Sequence, residues 1–143
     1  MAIKLWSLEK YAVQKTLLGH EHEVSGLAFV PSHPDFLVSC SRDQSLRVWD
    51  TVSGACLHTL MQHTDWVKRV AVASTLIASA SNDESILIWS TERVLAGAEP
   101  SQALHATLSG HDNQIDCIAF APLDSARSIE MAEYSGGTHR AQQ

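Results

Sequence analysis

The sequence predicts an all-β protein assembled from a repeated unit of four short strands. A T-L-x-x-H motif recurs at intervals of 43 and 48 residues, and a strand-type run ending in tryptophan recurs at intervals of 43 and 40 residues. A turn rich in serine and aspartate separates these two markers in two of the units. The markers are TLLGH, TLMQH and TLSGH, ending at His20, His63 and His111; IKLW, LRVW and ILIW, ending at Trp6, Trp49 and Trp89; and SCSRDQS (39–45) and SASNDES (79–85). Markers that share one period near 40–45 residues indicate a repeat architecture.

The individual strands follow from local composition. LRVW and ILIW are short and rich in β-branched or aromatic residues, and each follows a polar turn. Residues 3–6 and 12–17 are predicted to be the last two strands of one unit, residues 24–61 and 66–108 two complete units, and residues 114–120 the first strand of a fourth. No long segment has a helical period. After Pro122 we expect no further strand, so the sequence divides into a repeat segment, 1–122, and a polar, disordered tail, 123–143.

This period and these markers resemble the WD repeat. The resemblance implies a β-propeller with four antiparallel strands in each blade. The expected fold is therefore a partial WD-repeat β-propeller, with about two complete four-stranded blades flanked by two incomplete ones. Closed propellers typically have 4–8 blades, so we expect the chain to be a fragment with exposed sheet edges. Such a fragment should be poorly soluble or molten, and a sharp cooperative melt of a monomer would contradict that expectation.

Serine, histidine and aspartate recur together in each complete unit, which raises the hypothesis of a hydrolase that uses Ser39, His20 and Asp43. A catalytic triad is needed once, with an oxyanion hole and a nucleophile turn such as GxSxG, whereas this set occurs twice and lacks that turn. A turn aspartate can instead accept from histidine, and a serine can link that histidine to a tryptophan N–H. The resemblance to the WD family assigns this arrangement a structural role. The two predicted networks are His20, Ser39, Asp43 and Trp49, and His63, Ser79, Asp83 and Trp89.

The net charge, the cysteine spacing and the absence of certain motifs argue against several other functions. The net charge of −6 gives no support to nucleic-acid binding. The three cysteines have no CxxC spacing, no signal peptide is present, and the most apolar run, 70–80, is too short to cross a membrane, so we expect a cytosolic protein. His20-Glu21-His22 lacks further ligands for a metal, and no glycine-rich phosphate loop is present, so neither metal nor cofactor is expected. Four basic residues within 28 positions favour an acidic protein partner: Arg42, Arg47, Lys68 and Arg69.

The segments GHEHEVS, SRDQSLRVW and HTDWVKRV resemble consecutive blades of the lissencephaly / nuclear-distribution family, which regulates cytoplasmic dynein. The resemblance covers about residues 3–122. It implies that the narrow face binds the motor domain of the dynein heavy chain. Arg42 and Lys68 match basic positions that the family uses for dynein, and Trp66 and His22 occupy equivalent loop positions. It also implies a cytoplasmic, microtubule-associated protein at the centrosome or spindle pole, acting in microtubule-based transport, nuclear migration and spindle positioning.

The sequence departs from this family at several points. Gln62 replaces a glycine, Ser90 replaces the aspartate of the WD pair, and the family's N-terminal dimerisation region and remaining blades have no counterpart here. The alternatives are a generic WD-repeat scaffold, such as a ubiquitin-ligase substrate receptor or a signalling subunit, or a fragment without function. For the partner residues, the alternatives are that Arg42 is a solvated turn residue and that Trp66 packs against the next blade.

Overall fold

The chain folds into four antiparallel sheets in a computed structural model that describes residues 1–121 and 131–135. The strands are β1 (Ala2–Ser7), β2 (Ala12–Leu18), β3 (Val24–Val30), β4 (His33–Ser41), β5 (Leu46–Asp50), β6 (Cys56–Leu60), β7 (Val67–Val72), β8 (Leu76–Ser81), β9 (Ile86–Ser90), β10 (Leu104–Leu108), β11 (Ile115–Phe120) and β12 (Met131–Ser135). Two short helices, α1 (Thr91–Leu95) and α2 (Pro100–Ala103), connect β9 to β10.

The sheets are the predicted propeller blades. Strands β3 to β6 pair in chain order as blade 1, and β7 to β10 pair in chain order as blade 2. Two-stranded sheets flank them: the N-terminal half-blade, β1 and β2, and the C-terminal half-blade, β11 and β12. The all-β fold, with two complete blades between two incomplete ones, is therefore confirmed.

Each blade packs face to face on the next through apolar side chains that alternate along the strands. Ile3 and Leu17 of the N-terminal half-blade pack with Trp49 of blade 1. The largest cluster joins blade 1 to blade 2, and a third joins blade 2 to the C-terminal half-blade. These clusters remove large apolar side chains of the second and third strands from water, which is the main source of stability in such a stack. The two-residue alternation of the strands therefore gives each blade the apolar faces through which it packs on its neighbours.

The expectation that no strand follows Pro122 was wrong. Strand β12 pairs antiparallel with β11, with Ile118 opposite Glu133. The MAEYS run carries no repeat marker and no β-branched residue, so its pattern gave no signal. An unpaired strand edge presents a row of N–H and C=O groups, and a nearby extended segment can satisfy them. Residues 122–130 and 136–143 of the predicted tail lie outside the described residues.

Helix α1 begins where the sequence departs from the WD pair. Ser90 caps it, because its side chain accepts a hydrogen bond from the backbone N–H of Arg93. Pro100 occupies the first turn of α2, where its missing N–H is tolerated. These helices have five and four residues. In the part of the chain that the structure describes, no helix is long and apolar enough to cross a membrane.

Antiparallel pairing brings two kinds of loop to one end of the blades. The turn between the second and third strands lies beside the loop that precedes the first strand. The backbone N–H of Arg42 donates to the carbonyl of Glu23 at 3.0 Å, and that of Asn82 donates to the carbonyl of Trp66 at 2.8 Å. We call this end the turn face; it comprises residues 19–23, 41–45, 61–66 and 81–85 and the first residues of β3, β7 and β11.

Candidate partner-binding face

The network of blade 1 joins four side chains beneath the turn face. His20 Nδ1 lies 2.7 Å from Oδ2 of Asp43, and His20 Nε2 lies 2.6 Å from Oγ of Ser39. Trp49 Nε1 donates to the same Ser39 oxygen at 2.8 Å. Because a carboxylate only accepts, Nδ1 of His20 carries the proton. The neutral ring then accepts from the Ser39 hydroxyl through Nε2, and every polar atom in the chain of bonds has a partner.

Blade 2 repeats this geometry. His63 Nδ1 lies 2.8 Å from Asp83 Oδ2, and His63 Nε2 lies 2.8 Å from Ser79 Oγ. Trp89 Nε1 donates to Ser79 at 3.0 Å. The structure thus brings together all eight residues that the sequence assigned to the two networks. Two copies with nearly equal distances indicate a repeated framework that fixes the loops of the turn face.

Burial and hydrogen bonding shift the pKa values within the networks in a consistent way. Burial lowers the pKa of His20 and of His63 below the usual range, and the neighbouring aspartates only partly oppose this effect. Burial alone would raise the pKa of Asp43, but hydrogen bonds from Ser45, His20 and Glu21 outweigh it and lower the pKa to about 2. The pKa of Asp83 is also lowered, for the same reasons. At neutral pH the histidines are therefore neutral and the aspartates charged.

Serines two positions after each aspartate complete the turns, and the sequence analysis did not include them. The Ser45 hydroxyl donates to Asp43 Oδ1 at 2.6 Å, and the Ser85 hydroxyl donates to Asp83 Oδ1 at 2.6 Å. A signal for them was available, because D-x-S occurs in both SRDQS and SNDES. A repeated polar residue beside a network residue indicates membership of that network.

The structure does not give Ser39 the setting of a nucleophile. Its side chain is buried, and its oxygen already contacts His20 and Trp49. A serine that attacks a substrate must be reachable from solvent. Among the described residues, no three of His, Cys, Asp and Glu lie close enough together to hold a metal ion.

Three of the four predicted partner residues form one cluster on the turn face. The guanidinium carbon of Arg42 lies 5.5 Å from the centroid of the Trp66 ring, and Nζ of Lys68 lies 5.3 Å from the same centroid. Cations at this distance are attracted by the negative face of an indole. We call Arg42, Trp66 and Lys68 the Trp66 cluster. Neighbouring blades supply its parts, since Arg42 belongs to blade 1 and the other two residues to the start of blade 2.

Two carboxylates outside the predicted set lie beside the charged groups of Lys68 and Arg42. Lys68 forms an ion pair with Asp116 of the C-terminal half-blade. Glu23 lies 4.0 Å from Arg42, and both of those side chains are more than half exposed. Lys68 is largely covered, with 17% of its side chain exposed. Arg42 is therefore the member of the cluster whose charge is most accessible to a partner.

Trp66 is half-buried, and its indole N–H is buried without a hydrogen-bond partner in the described part of the chain. His22 lies apart from the cluster: its residue is exposed, and its main-chain carbonyl accepts from the Ser41 hydroxyl at 3.2 Å. The structure therefore places His22 on the turn face without joining its ring to Trp66.

The repeats match a known family. The family model described as WD domain, G-beta repeat matches residues 12–50 and 54–90, which cover more than half of the chain. The chain belongs to the WD-repeat family. The matched ranges end at Asp50 and Ser90, directly after the two buried tryptophans. Each match therefore contains one complete network, including its aspartate and the turn around it.

Three relatives of this WD-repeat chain are nuclear distribution proteins. It is 36% identical over 135 residues to nuclear distribution protein PAC1 of Arthroderma otae, covering 87% of the chain and 28% of that protein. It is 37% identical over 115 residues to nuclear distribution protein nudF of Emericella nidulans, covering 78% and 24%. It is 38% identical over 126 residues to nudF 1 of Talaromyces marneffei, covering 87% and 27%. The resemblance to nuclear-distribution proteins is confirmed, and the chain spans about a quarter of these relatives.

Proposed function

We propose that this WD-repeat segment is a non-enzymatic interaction module of a regulator of cytoplasmic dynein, and that its Trp66 cluster binds the motor domain of the dynein heavy chain. The proposal places the protein in the cytoplasm on microtubules, at the centrosome or spindle pole, in transport, nuclear migration and spindle positioning. The observation that carries it is the convergence of Arg42 and Lys68 on one indole, at the face where the family resemblance sets partner contacts.

The geometry of the cluster suits a protein partner. An aromatic side chain that is already half-buried can anchor an interface without losing much conformational freedom. Arg42 offers a planar fork that matches a carboxylate, and more than half of its side chain is exposed. The ion pair of Lys68 with Asp116 spans two blades, so the cluster also depends on their correct packing. The networks beneath the turn face keep these loops in place, and their hydrogen bonds do not use the side chains of the Trp66 cluster.

Binding of the chain to a purified dynein motor domain tests this proposal. The unchanged chain should bind in an interferometry experiment, and a variant with Arg42→Glu and Lys68→Glu should bind at least about tenfold more weakly, because two attractive charges become repulsive. Circular dichroism and a thermal melt of the variant check that it remains folded.

A matched variant with Lys10→Glu and Arg93→Glu makes the same charge change in the connections that follow β1 and β9, at the opposite end of the blades. Its affinity should equal that of the unchanged chain. Absence of binding by the unchanged chain would contradict the proposed partner. Equal weakening by both variants would show a general effect of charge and would remove the Trp66 cluster from the interface.

A further inference from the structure

The guanidinium of Arg42 is held over an indole, and its contact with a carboxylate of the same chain is loose. Its carbon lies 5.5 Å from the centroid of the Trp66 ring. Oε1 of Glu23 lies 4.0 Å from Nη1 of Arg42, which is too long for a hydrogen bond. A guanidinium carries five N–H donors in one rigid plane. The contact with Glu23 therefore leaves these donors available to another acceptor.

The backbone of the turn face places Glu23 beside Arg42. The carbonyl of Glu23 accepts from the backbone N–H of Arg42 at 3.0 Å and from the Ser41 hydroxyl at 2.8 Å. Blade 2 repeats the backbone bond, because the N–H of Asn82 donates to the carbonyl of Trp66 at 2.8 Å. There the equivalent side chains are an amide and an indole. The turn therefore forms without an ion pair, and the Glu23 carboxylate is not required for it.

The charges of the Trp66 cluster and its two carboxylates cancel. Lys68 is paired with Asp116, and Arg42 lies beside Glu23. A carboxylate that approaches Arg42 from a partner also approaches Glu23, and these like charges repel each other. The side chains of Arg42 and Glu23 are 58% and 57% exposed, and ion pairs between exposed side chains contribute little to stability. The chain therefore loses little when Arg42 exchanges Glu23 for another carboxylate.

We propose that Glu23 is an internal competitor for Arg42, which it occupies in the free chain and yields to a carboxylate of the partner in the complex. The inference rests on the proposed function and adds the chemistry of the partner's group. A carboxylate that accepts from two N–H groups of Arg42 makes short, charge-assisted hydrogen bonds, which the contact with Glu23 at 4.0 Å does not. The exchange is favourable, and Glu23 lowers the affinity that results.

Interferometry with a purified dynein motor domain tests the competitor at about 0.15 M salt, where distant exposed charges are screened. Glu23→Gln should lower the dissociation constant about threefold to tenfold, because it removes the repelling charge and keeps the shape of the side chain. In an Arg42→Gln background the same change should alter the dissociation constant less than about twofold, since competition requires the guanidinium.

The matched control is Glu21→Gln, which makes the same charge change at another exposed residue of the turn face. The carboxylate of Glu21 is in none of the ion pairs among the described residues. This control should alter the dissociation constant less than about twofold. An equal gain from Glu21→Gln and Glu23→Gln would show a general effect of charge and would overturn the competitor.

A short peptide separates this inference from the identity of the partner. The probe is a capped peptide of four glutamates, and the signal is the Nε–H resonance of Arg42 in NMR spectra. The peptide should shift this signal, a capped peptide of four glutamines should not, and Glu23→Gln should tighten binding about threefold or more. This result without binding to the motor domain would contradict the proposed partner and support the competitor. Peptide binding that Glu23→Gln leaves unchanged or weakens would overturn the competitor, even where the motor domain binds.

Discussion

Ser39 links a buried imidazole to a buried indole. Removal of its hydroxyl should therefore lower the free energy of unfolding more than removal of an exposed hydroxyl. The Ser39→Ala variant leaves His20 Nε2 and the Trp49 N–H without partners in the core. We expect the free energy of unfolding to fall by about 2–6 kcal/mol, the range for leaving two buried polar groups unsatisfied. Urea denaturation of the variant and of the unchanged chain measures the difference.

The matched control is Ser109→Ala, at an exposed serine of the loop before β11. This change should alter the free energy of unfolding by less than about 0.5 kcal/mol. Equal effects at Ser39 and Ser109 would contradict the role assigned to the network, because the first position differs from the second chiefly in its buried partners.

The network residues could be predicted because a repeat shows the same polar residues in the same places twice. The Trp66 cluster could be predicted only in part. A family resemblance indicated its residues, but their convergence depends on how blade 1 packs against blade 2. No local pattern in HTDWVKRV shows that an arginine 24 positions earlier lies over the same ring. The pairing of Lys68 with Asp116 was missed for the same reason.

At the scale of the element, the turns between second and third strands contain a residue with a left-handed backbone. Gln44 and Glu84 have φ values of 73° and 69°. Residues with a Cβ are strained in this region by roughly 1–2 kcal/mol, whereas glycine is not. Gln44→Gly and Glu84→Gly should therefore each stabilise the chain by about 0.5–1 kcal/mol, after subtracting the larger entropy of glycine in the unfolded state. Thermal and urea denaturation test this.

Glu9→Gly supplies the control for the turns, because Glu9 is exposed and is not among the described residues with a positive φ. There the added freedom of the unfolded chain acts alone, and we expect destabilisation of about 0.4–1 kcal/mol. Destabilisation by all three changes would show that Gln44 and Glu84 carry no backbone strain that glycine can remove, and would contradict the prediction.

Most of the elements were predictable, and those that were not lack a repeat marker of their own. Strands such as LRVW carry the two-residue alternation and the turn residues that identify them. Helix α1 has only five residues and depends on the cap at Ser90, so no helical period had room to develop. Strand β12 has no marker of its own, and it is defined by the edge of β11 that it pairs with.

At the scale of the whole molecule, both networks act on one folding equilibrium, so their protonation makes stability depend on pH. The folded pKa values of His20 and His63 lie below the ordinary value of about 6.5. Below pH 6.5 the unfolded chain therefore binds more protons than the folded chain, and stability falls as pH falls. The aspartates add a second decline: Asp43 keeps its stabilising charge above about pH 4 and loses it as pH falls towards its folded pKa of about 2.

We therefore expect the free energy of unfolding to be constant from pH 8 to 7 and to decrease from about pH 6.5 to 5, by at most about 1.4 kcal/mol per pH unit for each histidine. A second loss follows below about pH 4, where Asp83 acts with Asp43. Urea denaturation at a fixed chain concentration measures both declines. His63→Gln removes one of the two buried imidazoles and should roughly halve the slope between pH 6.5 and 5. His105→Gln, at an exposed histidine, should leave that slope unchanged. Equal stability at pH 8 and pH 5 would mean that the histidines do not have to stay neutral for the blades to hold together.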